Sequence, residues 1–323
     1  MNDSQILILT AAGDEKIPFF AELREAATIV VGDSAGEFTK AALEAEVILN
    51  WSGSLELLRD VFLISRRVRW VHSRSAGLEQ VLFPELIKSE VILTNGSGVF
   101  SPSLGEFALA AILYFAKDFR RMIRNQIAGV WQPFDVTMVA GQTVGIIGYG
   151  SIGREVATLA RALGMNVLGL RRHMSRRSQE DSLVDQFYSS DQRLEMISRC
   201  DYLVLALPMT EQTRRFFADA EFAAMKQNAV LINIGRGPTV DEPSMIKALL
   251  ENRIRGAALD VFDQEPLPQG HPFYSMENVL LSPHCADHTS DWLDNAMRFF
   301  LAQLERFKRG DTLLNVVDKA MGY

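Results

Sequence analysis

Between Thr143 and Arg172 the chain reads TVGII, GYGSIG, REVATLARALG and MNVLGLRR, and this stretch constrains the fold more than any other. A short β-branched run, a glycine turn, an amphipathic segment ending at Gly164 and a second apolar run make one βαβ unit. In such a unit Gly148 permits the tight turn, Gly150 lets a pyrophosphate approach the backbone, and Gly153 lets the helix close on the strand. The helix N-terminus then offers N–H groups and a partial positive charge to the anion. A lone GxGxxG can be only a glycine-rich turn, but here strand, helix and second strand flank it. The stretch therefore predicts a dinucleotide site formed by Gly148, Tyr149, Gly150, Ser151, Ile152 and Gly153.

The end of the second strand selects the dinucleotide. An Asp or Glu about 20 residues on would accept hydrogen bonds from a ribose 2′-hydroxyl, whereas this chain carries Arg171 and Arg172. An acid would repel a 2′-phosphate and a guanidinium binds one through charge-assisted bonds, so the pair predicts NADPH in preference to NADH. The alternative is a solvated basic turn, since Arg176 and Arg177 follow. The missing acid favours the phosphate reading.

A chain of 323 residues with 48% hydrophobic content can bury two cores, so two globular domains are expected. The net charge of −7 disfavours a nucleic-acid or anionic-membrane partner, and Arg66, Arg67 and Arg69 read as the exposed end of a helix. Cys200 and Cys285 are the only cysteines; they make neither a disulfide framework nor a metal set, which fits a reducing compartment. The N-terminus opens with Asp3, and its apolar run Ile6–Leu9 is too short for a signal sequence. FALAAILYF, bounded by Glu106 and Lys117, falls short of the roughly 18 apolar residues of a membrane span. A soluble, cytoplasmic protein without a metal or membrane partner is expected.

Before the βαβ unit, the runs Ile6–Leu9, Thr28–Val31, Val47–Leu49, Val68–His72 and Val91–Thr94 alternate with amphipathic stretches. That alternation predicts a small parallel sheet ending near Gly98. SPSLGEFALAAILYFAKDFRRMIRNQ predicts one long helix crossing between domains, with Ser101 as candidate cap and Pro102 in its first turn. GVWQPFDVTMVAGQ has little periodicity and predicts an extended arm whose Trp131 and Phe134 need another surface, which a partner subunit would supply. After the unit, CDYLVLALP, AVLINIGRG, GAALDVF and NVLLSPH predict further parallel strands, whose carboxyl ends are where doubly wound sheets bind ligands. From Asp291, WLDNAMRFFLAQLERFKRG predicts a last amphipathic helix stopped by Gly310 and returning to the first domain. The fold class is thus α/β, with a substrate domain of residues 1–98 and 288–323 and a dinucleotide-binding domain of residues 99–287.

Three strand ends carry the ionisable groups: INIGRG with Arg236, DVFDQEP with Glu265, and LLSPHCADHT with His284. Beside a nicotinamide this set suits reduction of a 2-keto acid. Arg236 can hold the carboxylate and polarise the carbonyl, while His284 can protonate its oxygen as hydride arrives. Glu265 would orient the imidazole and favour its protonated form. Singly, each has a plainer reading: an arginine at a glycine turn, a glutamate before Pro266, and a histidine that packs or caps.

Together, in this order, the motifs resemble the D-isomer-specific 2-hydroxyacid dehydrogenases over nearly the whole chain. The resemblance includes LALPMTEQT, which in the family borders the adenine, and RGPTVDEPSMIKALLENRI and LLNVVDKAMGY. It implies that Leu207, Pro208, Thr213, Ile234, Gly235 and Asp260 line the cofactor. Through SRSAGLEQV it implies that Ser75, Ala76 and Gly77 lie at the substrate, with the backbone amides of Ala76 and Gly77 on its carboxylate. Two doubly wound domains follow, one Rossmann and one flavodoxin-like, with an active site in the cleft and a homodimer joined through the nucleotide domain. The arginines at the second strand end are similar to those of NADPH-dependent glyoxylate and hydroxypyruvate reductases.

Asp287-His288 departs from the small residue usual after PHxA. Trp51 either lines the mouth of the substrate pocket or packs among first-domain helices, and His72, His173 and His271 are expected to be structural or solvated. Dinucleotide-sensing corepressors share this fold; the absence of their long disordered extensions and the intact trio favour an enzyme. Phosphoglycerate dehydrogenase, which often has a long C-terminal extension, and phosphite oxidation, suggested by WQP, are further readings.

Overall fold

The computed structural model describes residues 4–11, 17–172 and 181–322; Asp3, His173, Arg176, Arg177 and Tyr323 lie outside them. The chain forms two compact units, Met1–Phe100 with Thr289–Tyr323, and Ser101–His288. In the first, β1 (Gln5–Leu9), β2 (Thr28–Gly32), β3 (Val47–Asn50), β4 (Trp70–Ser73) and β5 (Ile92–Asn95) alternate with α1 (Phe20–Ala26), α2 (Ala35–Phe38), α3 (Leu55–Ile64) and α4 (Pro84–Lys88). The strands pair in parallel in the order β2-β1-β3-β4-β5, the flavodoxin-like arrangement. Covered on both faces, β3 and β4 are buried at every residue, which is why they read as continuous apolar runs.

The second unit begins with α5 (Ser101–Lys117) and α6 (Phe119–Ile127), where one long helix was expected. Asp118 breaks it: its backbone is left-handed at φ 52° and its side chain accepts from Arg121 N at 3.3 Å, capping the new helix. Asp tolerates that conformation better than most residues because its side chain bonds locally. Ser101 is the first helical residue rather than a cap, and its buried hydroxyl has no hydrogen-bond partner. By its contacts α5 belongs to the second unit, buried along Leu104, Ala108, Ala111 and Ile112. Residues 130–139 have no regular structure; Trp131 is 97% exposed, while Phe134 has a neighbour in its own unit, the Arg121 guanidinium 4.3 Å from its ring centre.

The remaining elements are β6 (Thr143–Ile147), α7 (Ser151–Ala162), β7 (Asn166–Leu170), β8 (Gln186–Tyr188), α8 (Arg193–Arg199), β9 (Tyr202–Leu205), α9 (Asp219–Ala224), β10 (Val230–Asn233), α10 (Glu242–Leu250), β11 (Gly256–Leu259) and β12 (Val279–Leu281). They form a parallel sheet in the order β12-β11-β10-β9-β6-β7-β8, with its reversal between β6 and β9, the position at which such sheets bind dinucleotides. Both α7 and β7 pack onto β6 as the glycine motif requires.

The first unit is completed by α11 (Trp292–Arg309), ended by Gly310 at φ 74°. Ala296, Met297, Phe300, Gln303 and Leu304 form its buried face, spaced as one helical stripe. Phe300 stacks on Trp70, 5.3 Å between ring centres. Beside it His72 is buried with Nδ1 2.7 Å from Thr94 Oγ1, and burial pushes its imidazole down to about 3. Among the described residues no helix is long and apolar enough to cross a membrane.

Candidate active site

The glycine loop leaves β6 at the sheet's reversal. Gly148 turns at φ 95°, and a Cβ there would lie 2.6 Å from Ala206 O, so only glycine fits. A Cβ on Gly150 would meet nothing within 4 Å; this open face before α7 is where a pyrophosphate can approach. Ser151, Ile152 and Gly153 form the first turn of α7, whose N-terminus has no side-chain cap, so the loop fits an anionic dinucleotide. Tyr149 is buried and donates its hydroxyl to Asp181 Oδ2 at 3.0 Å. Arg171 and Arg172 follow β7: the first stacks on Tyr149 and Phe187, and the exposed second bonds to Gln212 Oε1. After β9, Thr213 Oγ1 donates to Pro208 O at 2.7 Å and accepts from Thr210 N at 2.8 Å, closing the loop that begins just after Leu207. Ile234 and Gly235 follow β10, with Gly235 N donating to Asn233 Oδ1 at 3.1 Å.

Close backbone approach joins the loops that carry Arg236 and Glu265. A Cβ on Gly237 would lie 1.8 Å from Phe262 O, so the INIGRG turn can lie against the loop after β11 only with glycine there. Phe262 N in turn donates to Glu265 Oε1 at 2.9 Å. The other carboxylate oxygen, Oε2, is 2.6 Å from His284 Nδ1. With Nδ1–H directed at a carboxylate, Nε2 is the ring atom left to face a substrate. Arg236 Nη1 donates to Gly235 O at 2.8 Å. All three groups thus stand just beyond parallel strands of one sheet.

Asp260, expected at the cofactor, lies just after β11 and also braces the His284 loop. It is 1% exposed, and its Oδ1 accepts from Ser282 Oγ at 2.6 Å, Cys285 N at 3.0 Å and Ala286 N at 3.1 Å. These bonds flank His284, whose backbone is left-handed at φ 52°, a conformation that costs an ordinary residue energy and must be held from outside. His288 Nε2 lies 3.7 Å from Asp287 Oδ1, so that departure from the usual sequence is a facing pair. His271 lies 3.0 Å from Glu242 Oε1 and accepts from Phe273 N, a local structural part.

In the first unit, Asn95 Nδ2 donates to Ala76 O at 2.7 Å and Gly96 N to Ser75 O at 3.2 Å, fixing the Ser75-Ala76-Gly77 turn after β4. Trp51 is buried at the end of β3 with Arg74 4.9 Å from its ring centre. Its indole N–H and Asn50 Nδ2 are buried without hydrogen-bond partners. Among the described residues no three His, Cys, Asp or Glu side chains gather as a metal site.

A Rossmann-ordered sheet, an open glycine turn and an imidazole–carboxylate pair at the strand ends place the chain among the nucleotide-binding α/β proteins. It belongs to the D-isomer-specific 2-hydroxyacid dehydrogenase family, whose NAD-binding domain matches residues 109–286. The chain is 32% identical over 266 residues to a glyoxylate reductase of Korarchaeum cryptofilum, covering 80% of this chain and 79% of that protein. It is 28% identical over 316 residues to a D-3-phosphoglycerate dehydrogenase of Methanocaldococcus jannaschii, covering 97% of this chain but spanning only 59% of the relative's length. The crystal structure of an NADPH-dependent glyoxylate/hydroxypyruvate reductase from Sinorhizobium meliloti, in complex with NADP and sulfate, is 25% identical with a TM-score of 0.81, covering 99% of this chain and 100% of that one.

Proposed function

We propose that the protein reduces a small 2-keto acid of the glyoxylate or hydroxypyruvate type to the D-2-hydroxy acid with NADPH. The observation that carries this reading is the His284–Glu265 pair, joined at 2.6 Å beyond the strands of the dinucleotide-binding unit. The nicotinamide supplies the hydride when bound; the rest of the chemistry falls to side chains. Arg236 holds the carboxylate and draws electron density toward the carbonyl oxygen, helped by the backbone of Ala76 and Gly77. Protonated His284 points Nε2–H at that oxygen. As the carbon gains hydride, the C=O π pair moves onto oxygen, which takes the Nε2 proton. The products are the alcohol and a neutral imidazole, which Glu265 keeps aligned until solvent returns a proton. Trp51 is assigned to the mouth of the substrate pocket.

Arg171 and Arg172 are assigned to the 2′-phosphate, supported by the absence of an acid at the end of β7. The exposed arm around Trp131 is assigned to contact between two copies, and the two unpaired cysteines suit the cytoplasm. The Methanocaldococcus relative favours phosphoglycerate oxidation as the second reading. Steady-state assays of glyoxylate, hydroxypyruvate and phosphoglycerate with each cofactor decide between them. Turnover of either keto acid with NADPH is expected; no keto acid turnover with either cofactor overturns the reading, and turnover of phosphoglycerate alone installs the second.

A further inference from the structure

Arg171 leaves β7 into the corner made by two aromatic rings. Its Cζ is 4.6 Å from the ring centre of Tyr149 and 4.2 Å from that of Phe187, and the rings meet edge to face at 5.1 Å and 84°. Room for this cluster comes from Gly169: a Cβ there would lie 2.6 Å from Phe187 Cε1, so the ring rests directly on the β7 backbone. Tyr149 is fixed from its other end by Asp181, which accepts its hydroxyl at 3.0 Å and lies 3.5 Å from Arg154 Nε. Burial, then the Asp181 hydrogen bond, hold the phenol well above its ordinary value, so it remains a donor. The two rings are near perpendicular and in contact, so together they wall the guanidinium on adjoining sides and limit the directions in which it can turn, while its planar fork remains the part that grips a phosphate. Arginine held this way has already lost the rotamer freedom that an unrestrained side chain loses on binding.

We propose that Tyr149 and Phe187 are positioning residues that determine cofactor choice, clamping the Arg171 guanidinium for the 2′-phosphate, with Gly169 and Asp181 setting the clamp. This rests on the NADPH reading above and adds residues outside the arginine pair. If the rings only packed the unit, altering them would weaken both cofactors alike. The deciding measurement is calorimetric affinity for NADPH and NADH at two ionic strengths, on wild type, Tyr149→Ala, Phe187→Leu and Tyr149→Phe. Phe187→Leu should lower the NADPH:NADH affinity ratio about ten-fold, the worth of one strong cation–π contact, and leave NADH binding unchanged; Tyr149→Ala should lower the same ratio, together with any loss common to both cofactors that its place in the glycine loop brings. Tyr149→Phe, which keeps the ring, should retain most of the ratio and its salt dependence. A wild type preferring NADH refutes the cofactor reading and the clamp together. A wild type preferring NADPH, with Phe187→Leu holding the same ratio or weakening both cofactors in parallel, refutes the clamp alone, and does so even where Tyr149→Ala fails to fold.

Discussion

Replacing Asp260 should disable catalysis through the loop that carries His284 while sparing cofactor binding. One oxygen of this buried carboxylate accepts from Ser282 Oγ, Cys285 N and Ala286 N. Bonds to a charged acceptor contribute about 1.5–3 kcal/mol each, but three on one oxygen are not additive. Cys285 is exposed, so water partly replaces the acceptor for its N–H. A net support of about 3 kcal/mol follows, against the roughly 1–2 kcal/mol that a left-handed non-glycine residue costs. The support exceeds the cost by little, so Asp260→Ala should let His284 relax from φ 52° and draw its imidazole off the Glu265 axis. A displacement of about 1 Å lowers the rate about 10²-fold. Asp260→Asn keeps an acceptor of about half the strength and should lose on the order of ten-fold. The assay is kcat and KM for glyoxylate with NADPH, beside the NADPH dissociation constant by fluorescence. A fall in kcat at unchanged cofactor affinity supports the argument. Near-normal kcat in Asp260→Ala, or lost NADPH affinity with kcat intact at saturation, would give the carboxylate to the cofactor and refute it.

The remaining expectations concern the acid, the cofactor, stability and assembly. His284→Ala should lower keto acid reduction by roughly 10²–10⁴-fold, the usual worth of a positioned acid, with cofactor affinity retained; an enzyme keeping its kcat would assign the proton elsewhere. Glu265→Gln removes the carboxylate that faces His284 Nδ1 at 2.6 Å, so the imidazole loses its alignment and kcat should fall with cofactor affinity retained; an unchanged kcat contradicts the pairing. Changing Arg171 and Arg172 to leucine removes charge-assisted bonds of about 1.5–3 kcal/mol each, so NADPH should bind tens-fold or more weakly and NADH about as before, as titration would show. Because burial lowers His72 from 6.5 to about 3, the unfolded chain binds its proton first as pH falls, and stability is lost between those values. His72→Gln should flatten that decline in urea midpoints, and an unchanged slope would exclude the imidazole as its source. Trp131→Ser should shift sedimentation toward monomer; a wild type that is fully active as a monomer removes the arm from the mechanism.

The parts legible in the sequence share a physical origin. Parallel strands covered on both faces show as apolar runs, and the residue after such a run is at the ligand-binding end of the sheet, so Arg236, Glu265 and His284 could be placed without knowing any distance. Helix boundaries set by backbone sterics, such as those at Gly164 and Gly310, could be read for the same reason. The break at Asp118 could not: no glycine or proline precedes it, and it depends on one side chain capping the turn that follows. With three residues, β8 is too short for periodicity to detect, yet its Phe187 covers one face of Arg171.

Asp260 shows the same limit from the active-site side. The family resemblance put it at the cofactor; what the sequence does not show is that its oxygen also holds Ser282, Cys285 and Ala286 around His284. Periodicity records which backbone segments are buried. It carries no record of which side chains meet across neighbouring strand ends, and there both the carboxylate holding His284 and the rings holding Arg171 are brought to their partners. Gly169 makes the distinction concrete, since within NVLGL it reads only as a weak point in a strand. Its missing side chain is the space that the Phe187 ring fills, so a sequence that kept Arg171 and Arg172 but placed alanine at 169 would retain the apparent NADPH signature while displacing one of the two rings beside Arg171.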